Sequence, residues 1–294
     1  MLYSKSLKPD KLVLTADELA FYKKHTGIEN EQDMKGHITD VARNALEIYP
    51  YPCIRKFGFL RFRITRSPSG YKRLLELGST RPNALLLDLG CCFGNDVRKA
   101  IDDGFPPQNV VASDLRAEYW KFGHDLFKST PSTFPVIFIP GDVLDPSFIS
   151  IQAPLQTTSA TSIPLQSILQ SELGTLKSLD PLRGHLSAIH TSAFFHLFNR
   201  EEQLLIAKKL ASLLSPLPGS IIFGSHLGFS EPHEEVENGT GISLFGHSLE
   251  SWKKMWEEEV FTNGITIHVD ADMPVGETGE IQHTRMINWV VTRL

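Results

Sequence analysis

The sequence predicts an α/β fold: a doubly wound, mostly parallel sheet with helices on both faces and a helical segment in front of it. Three observations predict it. From residue 84 short apolar runs alternate with amphipathic stretches, glycines interrupt the first strand-to-helix junction, and the chain ends on two strand-like segments. Strands covered on both faces read as continuous apolar runs, and their crossovers are helices.

Composition permits such a fold. At 294 residues and 41% hydrophobic, the chain can bury one large core plus a modest appendage without disulfides or metals. A net charge of -5 sets up no global field for phosphate backbones or an acidic membrane, so no nucleic acid partner is expected. The three cysteines, Cys53 and the adjacent Cys91 and Cys92, form neither spaced pairs nor a metal-ligand spacing, which fits a reducing compartment. "MLYSKSLKPDKLVL" lacks an apolar stretch of signal length, and no run approaches the roughly 20 apolar residues of a membrane span. A cytoplasmic protein without membrane insertion is expected.

Residues 15 to 49 read as two helices. Thr15 and Glu18 form a capping box and Gly27 is placed to end the first; Ile38, Val41, Ala42, Ala45 and Ile48 share one face of the second, before Pro50 and Pro52. "IRKFGFLRFRITR" (54 to 66) alternates Leu60, Phe62 and Ile64 with Arg61, Arg63 and Thr65. Arginine interleaved with aromatics can bind single strands, but in an acidic chain it reads as a solvated edge or an anion-facing lip. "SPSGYKRLLELG" then looks like a helix ending at Gly78. These signals divide the chain into an N-terminal helical extension, 1–66, and a sheet domain, 67–294. The extension is expected to be a lid over the cleft, with a partner surface as the alternative.

The strands follow as "ALLLD" before a helix at 95 to 103, "VVASD" (110 to 114) before "RAEYWKFGHDLFKS", and "PVIFIPGD" (135 to 142). "LSAIH" (186 to 190) precedes "REEQLLIAKKLASLL", and "GSIIFGSH" (219 to 226) comes next. Residues 150 to 171, rich in Ser, Thr, Gln and Pro, read as a surface insertion. Residues 228 to 248 read as a second long loop before the helix "LESWKKMWEEEVF". "GITIHVDADM" and "TRMINWVVTRL" suggest a hairpin-like pair with an antiparallel final strand.

In a doubly wound sheet the ligand lies beyond the carboxyl ends of the strands, where the strand order reverses. There the sequence offers Gly90-x-x-x-Gly94, without the third glycine of a dinucleotide turn or the Gly-Lys-Ser/Thr of a P-loop. Asp96 in the first helical turn opposes a phosphate and suits the helix dipole. Asp88 at the first strand end would welcome a cation such as an amino-acid ammonium. Asp114 at the second is placed for ribose hydroxyls, and Asp142 at the third for an adenine amino group. S-adenosyl-L-methionine carries all three groups. With the antiparallel last strand, these acids make the class I methyltransferase plan, a Rossmann-like sheet. The candidate cofactor residues are Asp88, Leu89, Gly90, Cys92, Gly94, Asp114, Leu115, Asp142, Val143 and His190.

A carboxylic acid of pKa about 4 is ionised at neutral pH and needs no general base, whereas a phenol of pKa about 10 would want a histidine nearby. The catalytic candidates are His190 at the fourth strand end, His196 at the start of the next helix and His247 in the second long loop; His226 ends the fifth strand. Their spacing is not that of a zinc pair, so no metal is expected. Cys91 and Cys92 read as packing residues. "AFFHLF" (193 to 198), Phe229, Phe245 and Trp252 would form either core or an apolar pocket for a greasy acceptor.

The chain resembles a fungal family of small S-adenosylmethionine-dependent methyltransferases of secondary metabolism, similar to the meroterpenoid carboxyl O-methyltransferases. The resemblance rests on "YPYPCIRKF" (49 to 57), "ITRSPSGYKRLLE" (64 to 76), "LLLDLGCCFGNDVRK" (85 to 99), "SDLRAEYWKFGHDLF" (113 to 127), the stretch 188 to 226 and "FGHSLESWKKMW" (245 to 256). It departs at Ser67, where the family has a histidine before proline, and at Leu249, where a proline is usual. The resemblance implies methyl ester formation on a small hydrophobic polyketide-terpenoid acid. A cyclase or isomerase of the same pathway and a non-catalytic regulator binding S-adenosylmethionine are the alternatives, and a homodimer stays open.

Overall fold

The computed structural model describes residues 6–156, 173–236, 243–262, 264–274 and 284–294. Helix α1 (Ala16–Thr26) starts on the expected box, Thr15 Oγ1 accepting from Glu18 N at 3.2 Å while the Glu18 carboxylate accepts from Thr15 N at 2.9 Å, and it stops at Gly27 with φ +70°. Helix α2 (Glu31–Ile48) buries Met34, Ile38, Val41, Ala42, Ala45 and Leu46. Ile48 is 38% exposed rather than on that face, because the helix ends there and Leu46 takes the inward position.

The alternation after residue 54 makes no edge strand. A short helix α3 (Pro52–Arg55) is followed by 3-10 turns at Gly58–Leu60 and Ile64–Arg66. Local bonds satisfy this backbone, Leu60 N to Phe57 O and Arg66 N to Arg63 O, so no neighbouring strand is needed. Helix α4 (Pro68–Thr80) runs through Gly78 instead of ending there. A Cβ on Gly78 would stand 2.6 Å from Phe105 Cδ2, so this glycine marks a close approach rather than a cap.

The main sheet has strands β1 (Leu85–Leu89), β2 (Val110–Ser113), β3 (Ile137–Phe138), β4 (Leu186–His190), β5 (Ile221–Phe229), β8 (Ile267–Asp272) and β9 (Thr284–Arg293). Their order is β3-β2-β1-β4-β5-β9-β8. The first five run parallel, and β9 pairs antiparallel with both β5 and β8, so the last strand is inserted beside the edge as the tail pattern suggested. Strand β3 is shorter than the run 135 to 142 because prolines at 135 and 140 bracket it and cannot donate to a ladder. The segment read as a second loop holds a two-stranded antiparallel pair, β6 (His233–Val236) with β7 (Ser243–Gly246). Three of the four residues of β6 are polar and β7 places Leu244 and Phe245 side by side, so neither shows a period-2 alternation. Most of the polar insertion and the turn between β8 and β9 lie outside the described residues.

Helices α5 (Asn95–Asp102), α6 (Ala117–Leu126) and α7 (Arg200–Leu213) are the crossovers. Helix α8 (Leu249–Lys254) passes into a π turn at Met255–Val260, which lays Trp252, Met255, Trp256 and Val260 into the core. The extension shares a separate core with the sheet domain. Tyr22, Ile38, Leu46, Phe57 and Leu60 pack with Phe93, Tyr119, Leu126 and Phe127 from the turn before α5 and from α6. Polar ties accompany it: Tyr119 Oη donates to Tyr49 O at 2.8 Å, His37 Nε2 to Leu126 O at 2.9 Å, and Asn95 Nδ2 to the Tyr22 hydroxyl.

Candidate active site

Strand order reverses between β1 and β4, and the turn after β1 is built to leave space there. Gly90 and Gly94 have φ +74° and +72°. A Cβ on Gly90 would come 2.7 Å from Phe194 Cδ2, so a side chain would push on the opposite wall. Gly90 N and Cys91 N both donate to Ser113 O, at 2.8 and 3.1 Å, pinning the turn against β2.

The resulting cleft encloses about 750 Å³ of empty space, mouth included. Its β1, β2 and β3 ends contribute Leu89, Gly90, Cys92, Asp114, Leu115, Asp142 and Val143, all expected from sequence. Asp114 accepts from Cys92 N on Oδ2 and from Arg116 N on Oδ1, each at 2.9 Å. Burial raises its pKa above the usual carboxylate range, partly offset by those two amides. Asp142 is exposed and accepts from Leu144 N at 2.9 Å.

Three of the expected cofactor residues stand outside this lining. Gly94 serves helix α5 instead, its α-carbon facing Trp120. Asp88 and His190 are paired in the interior, Oδ1 to Nδ1 at 2.7 Å, and the other ring nitrogen of His190 meets Ser192 Oγ at 2.8 Å. Burial works against a charged His190, but the Asp88 carboxylate outweighs it and the net pKa is raised. Asp88 Oδ2 is buried without a hydrogen-bond partner. Nearby, Asp96 is pushed up to about 6, chiefly by burial, with His190 and Ile64 N opposing.

None of the three histidines expected to be catalytic lines the cleft. His196 accepts from Leu227 N at 3.3 Å and is pushed down to about 4 by burial and by the charge of Arg63. His247 is 1% exposed, bonded through Nδ1 to Ser251 Oγ at 2.9 Å, and burial pushes it down to about 3. His226 accepts from Trp289 Nε1 at 2.9 Å. His226 and His247 stand 4.3 and 5.2 Å from the Trp252 ring, so both belong to an aromatic core with Phe195 and Trp289.

Further walls come from elsewhere; of these, sequence reading missed Tyr51, Cys53, Tyr119 and Gly141 and left "AFFHLF" open between core and pocket. Tyr51 and Cys53 come from the extension, Tyr119 from α6, Gly141 from the residue before Asp142, and Ala193, Phe194, Leu197 and Phe198 from the segment after β4. "AFFHLF" is divided: Phe194 and Phe198 face the cleft and Phe195 faces the core. For Tyr51 and Cys53 the available signal was the unusual "YPYPC" itself, two prolines interrupting a helical preface.

A family model described as "Meroterpenoid methyltransferase N-terminal domain" matches residues 2–60. The chain is 33% identical to the methyltransferase adrK of Penicillium roqueforti over 80% of its own length and 73% of that protein. It is 30% identical to the O-methyltransferase atr3 of Stereocaulon alpinum, covering 88% of this chain and 67% of the other. It is 29% identical to the asnovolin E/chermesin D methyltransferase nvfJ of Aspergillus novofumigatus, over 80% and 73%. The chain belongs to this family of fungal methyltransferases. Among solved structures it is similar to the 1,6-didemethyltoxoflavin-N1-methyltransferase of Burkholderia thailandensis, at 11% identity and TM-score 0.49, covering 96% of this chain and 91% of that one.

Sheet order, strand-end acids and family together make S-adenosylmethionine the cofactor of the methyltransferase. The cleft fits it: a turn with no Cβ at Gly90, an acceptor at Asp114 and apolar walls at Leu89 and Val143. No helix among the described residues is long and apolar enough to cross a membrane.

Proposed function

We propose that the methyltransferase esterifies the carboxylate of a small hydrophobic acid of polyketide-terpenoid character. S-adenosylmethionine supplies a methyl group on a sulfonium, a leaving group that needs no activation. The protein then has to hold the acceptor oxygen in line and exclude water. Asp114 accepts from ribose hydroxyls, Asp142 and Val143 meet the adenine, and the bare turn at Gly90 lets the cofactor lie against the backbone. Asp88, buried behind the lining and paired with His190, fixes the end of β1 under the amino-acid end of the cofactor.

One observation carries the choice of acceptor. No histidine, lysine or arginine is among the described residues that line the cleft; its carboxylates are engaged by backbone amides, Asp114 by Cys92 N and Arg116 N and Asp142 by Leu144 N, and burial raises Tyr51 to about 12 and Cys53 to about 11. A phenol would find no histidine to take its proton; a carboxylate arrives ionised. Phe194, Leu197 and Phe198 suit an apolar acceptor body. The test is incubation with methyl-labelled cofactor and a panel of aromatic polyketide and meroterpenoid acids alongside their methyl esters. Label on acids alone is expected. Label on the esters, or on none of the acids, overturns the reading.

A further inference from the structure

Helix α7 carries a lysine where a core residue would pack. Lys209 is 1% exposed and shares the buried face of Ile206, Ala207, Leu210 and Leu213. A buried ammonium is kept only where its protons are accepted, and it has three of them. Lys209 Nζ donates to three consecutive carbonyls, Val143 O at 2.7 Å, Leu144 O at 3.1 Å and Asp145 O at 3.3 Å. Its whole bonding capacity is spent on one turn, and none of it on a carboxylate.

That turn is part of the cleft wall. Asp142 and Val143 line the cleft beyond the end of β3, while Lys209 is not in the lining and so acts from behind them. Asp145 N closes the turn on Asp142 O at 3.1 Å, and Leu144 N holds Asp142 Oδ1 at 2.9 Å. Three successive carbonyls drawn onto one atom leave this backbone a single course. No main-chain carbonyl among the described residues accepts from Val143 N, and Val143 is 5% exposed. A buried N–H without a partner is costly, so a main-chain donor stands ready for a ligand beside the Asp142 acceptor.

We propose, resting on the assignment of Asp142 and Val143 to adenine, that Lys209 is a positioning residue for base recognition: it sets the 142–145 turn so that the pair selects a purine bearing an amino group. The amino group donates to the Asp142 carboxylate, and the ring nitrogen next to it accepts from Val143 N. Hypoxanthine, with an oxygen in place of the amino group and a proton on that nitrogen, reverses both bonds. A methionine at 209 would fill the same space and hold none of the three carbonyls.

Calorimetry of S-adenosylhomocysteine and S-inosylhomocysteine on the parent, Lys209→Met and Asp142→Ala tests this. The parent is expected to prefer the adenosyl ligand about tenfold or more, and Lys209→Met to lose most of that preference through weaker adenosyl binding, with inosyl affinity close to parental. Where Lys209→Met fails to fold, Lys209→Gln keeps an N–H donor and is expected to retain part of the preference. A Lys209 variant that melts at a lower temperature yet keeps the parental ratio makes the lysine a structural residue only and overturns the proposal. An Asp142→Ala protein that keeps the ratio overturns the adenine assignment itself, whatever the Lys209 variants show.

Discussion

His247 shows how one residue type can look catalytic and be structural. It sits beside Trp252 with Nδ1 on Ser251 Oγ and Nε2 buried without a partner, so protonation would place a charge in an aromatic core. Burial pushes it down to about 3, against about 6.5 in an unfolded chain. Between those values the unfolded state binds the additional proton, so stability falls as pH drops from about 6.5 toward 3. His247→Asn can keep the contact to Ser251 while removing the titration. At neutral pH we expect it to be less stable by about 1–3 kcal/mol, from the packing lost. The deficit should shrink as pH falls through that window. Denaturant melts followed by tryptophan fluorescence at several pH values check this, since Trp252, Trp256 and Trp289 surround the site. A deficit constant with pH would count against a neutral, buried ring.

At the level of elements, the turn between β1 and α5 joins strand geometry to the cleft. Gly90 must hold φ +74° and also lack a side chain, because a Cβ would press on Phe194 in the facing wall. Gly27 shares the backbone requirement at φ +70° but has nothing within 4 Å of a built Cβ. Gly27→Ala should therefore cost about 1–2 kcal/mol of stability from left-handed strain and leave affinity for S-adenosylhomocysteine unchanged. Gly90→Ala should cost at least as much and also weaken that affinity about tenfold or more, equivalent to roughly 1.4 kcal/mol. Equal affinity in Gly90→Ala and parent would show that the turn does not bear on the ligand. The same turn explains what was legible beforehand. Apolar runs, Gly90 and the acids at strand ends are local in sequence, so Asp114, Asp142 and their neighbours could be placed from period and spacing alone. Tyr51, Phe194 and Tyr119 reach the cleft by tertiary packing from three separate elements, and nothing local distinguishes them from core aromatics. His247 was read from its place in the second long loop, whereas tertiary packing against Trp252 and the bond to Ser251 hold it in the aromatic core.

Across the whole molecule, the extension is bound to the sheet domain by a core in which Tyr22, Ile38 and Phe57 contact Phe93, Tyr119 and Phe127. Stacking of Tyr22 on Phe127, 5.5 Å between centroids, and the Tyr119 bond to Tyr49 O cross the same boundary. Exposing this surface would leave large aromatics of both parts in water, at about 25 cal/mol per Å² of apolar area. The two parts should therefore unfold together, in one transition. Because Tyr51 and Cys53 of the extension line the cleft with Gly90 and Asp114 of the sheet domain, ligand binding should stabilise that single transition as a whole. S-adenosylhomocysteine at 100 times its Kd adds about 2.7 kcal/mol to a state that alone binds it. For a chain of this length that corresponds to a rise in Tm of roughly 4 °C. Differential scanning calorimetry with and without the ligand measures both quantities. Two resolved transitions, with the lower one indifferent to S-adenosylhomocysteine, would mean that the extension is an appendage resting on the cleft, and that its tyrosine and cysteine contribute nothing to holding the cofactor.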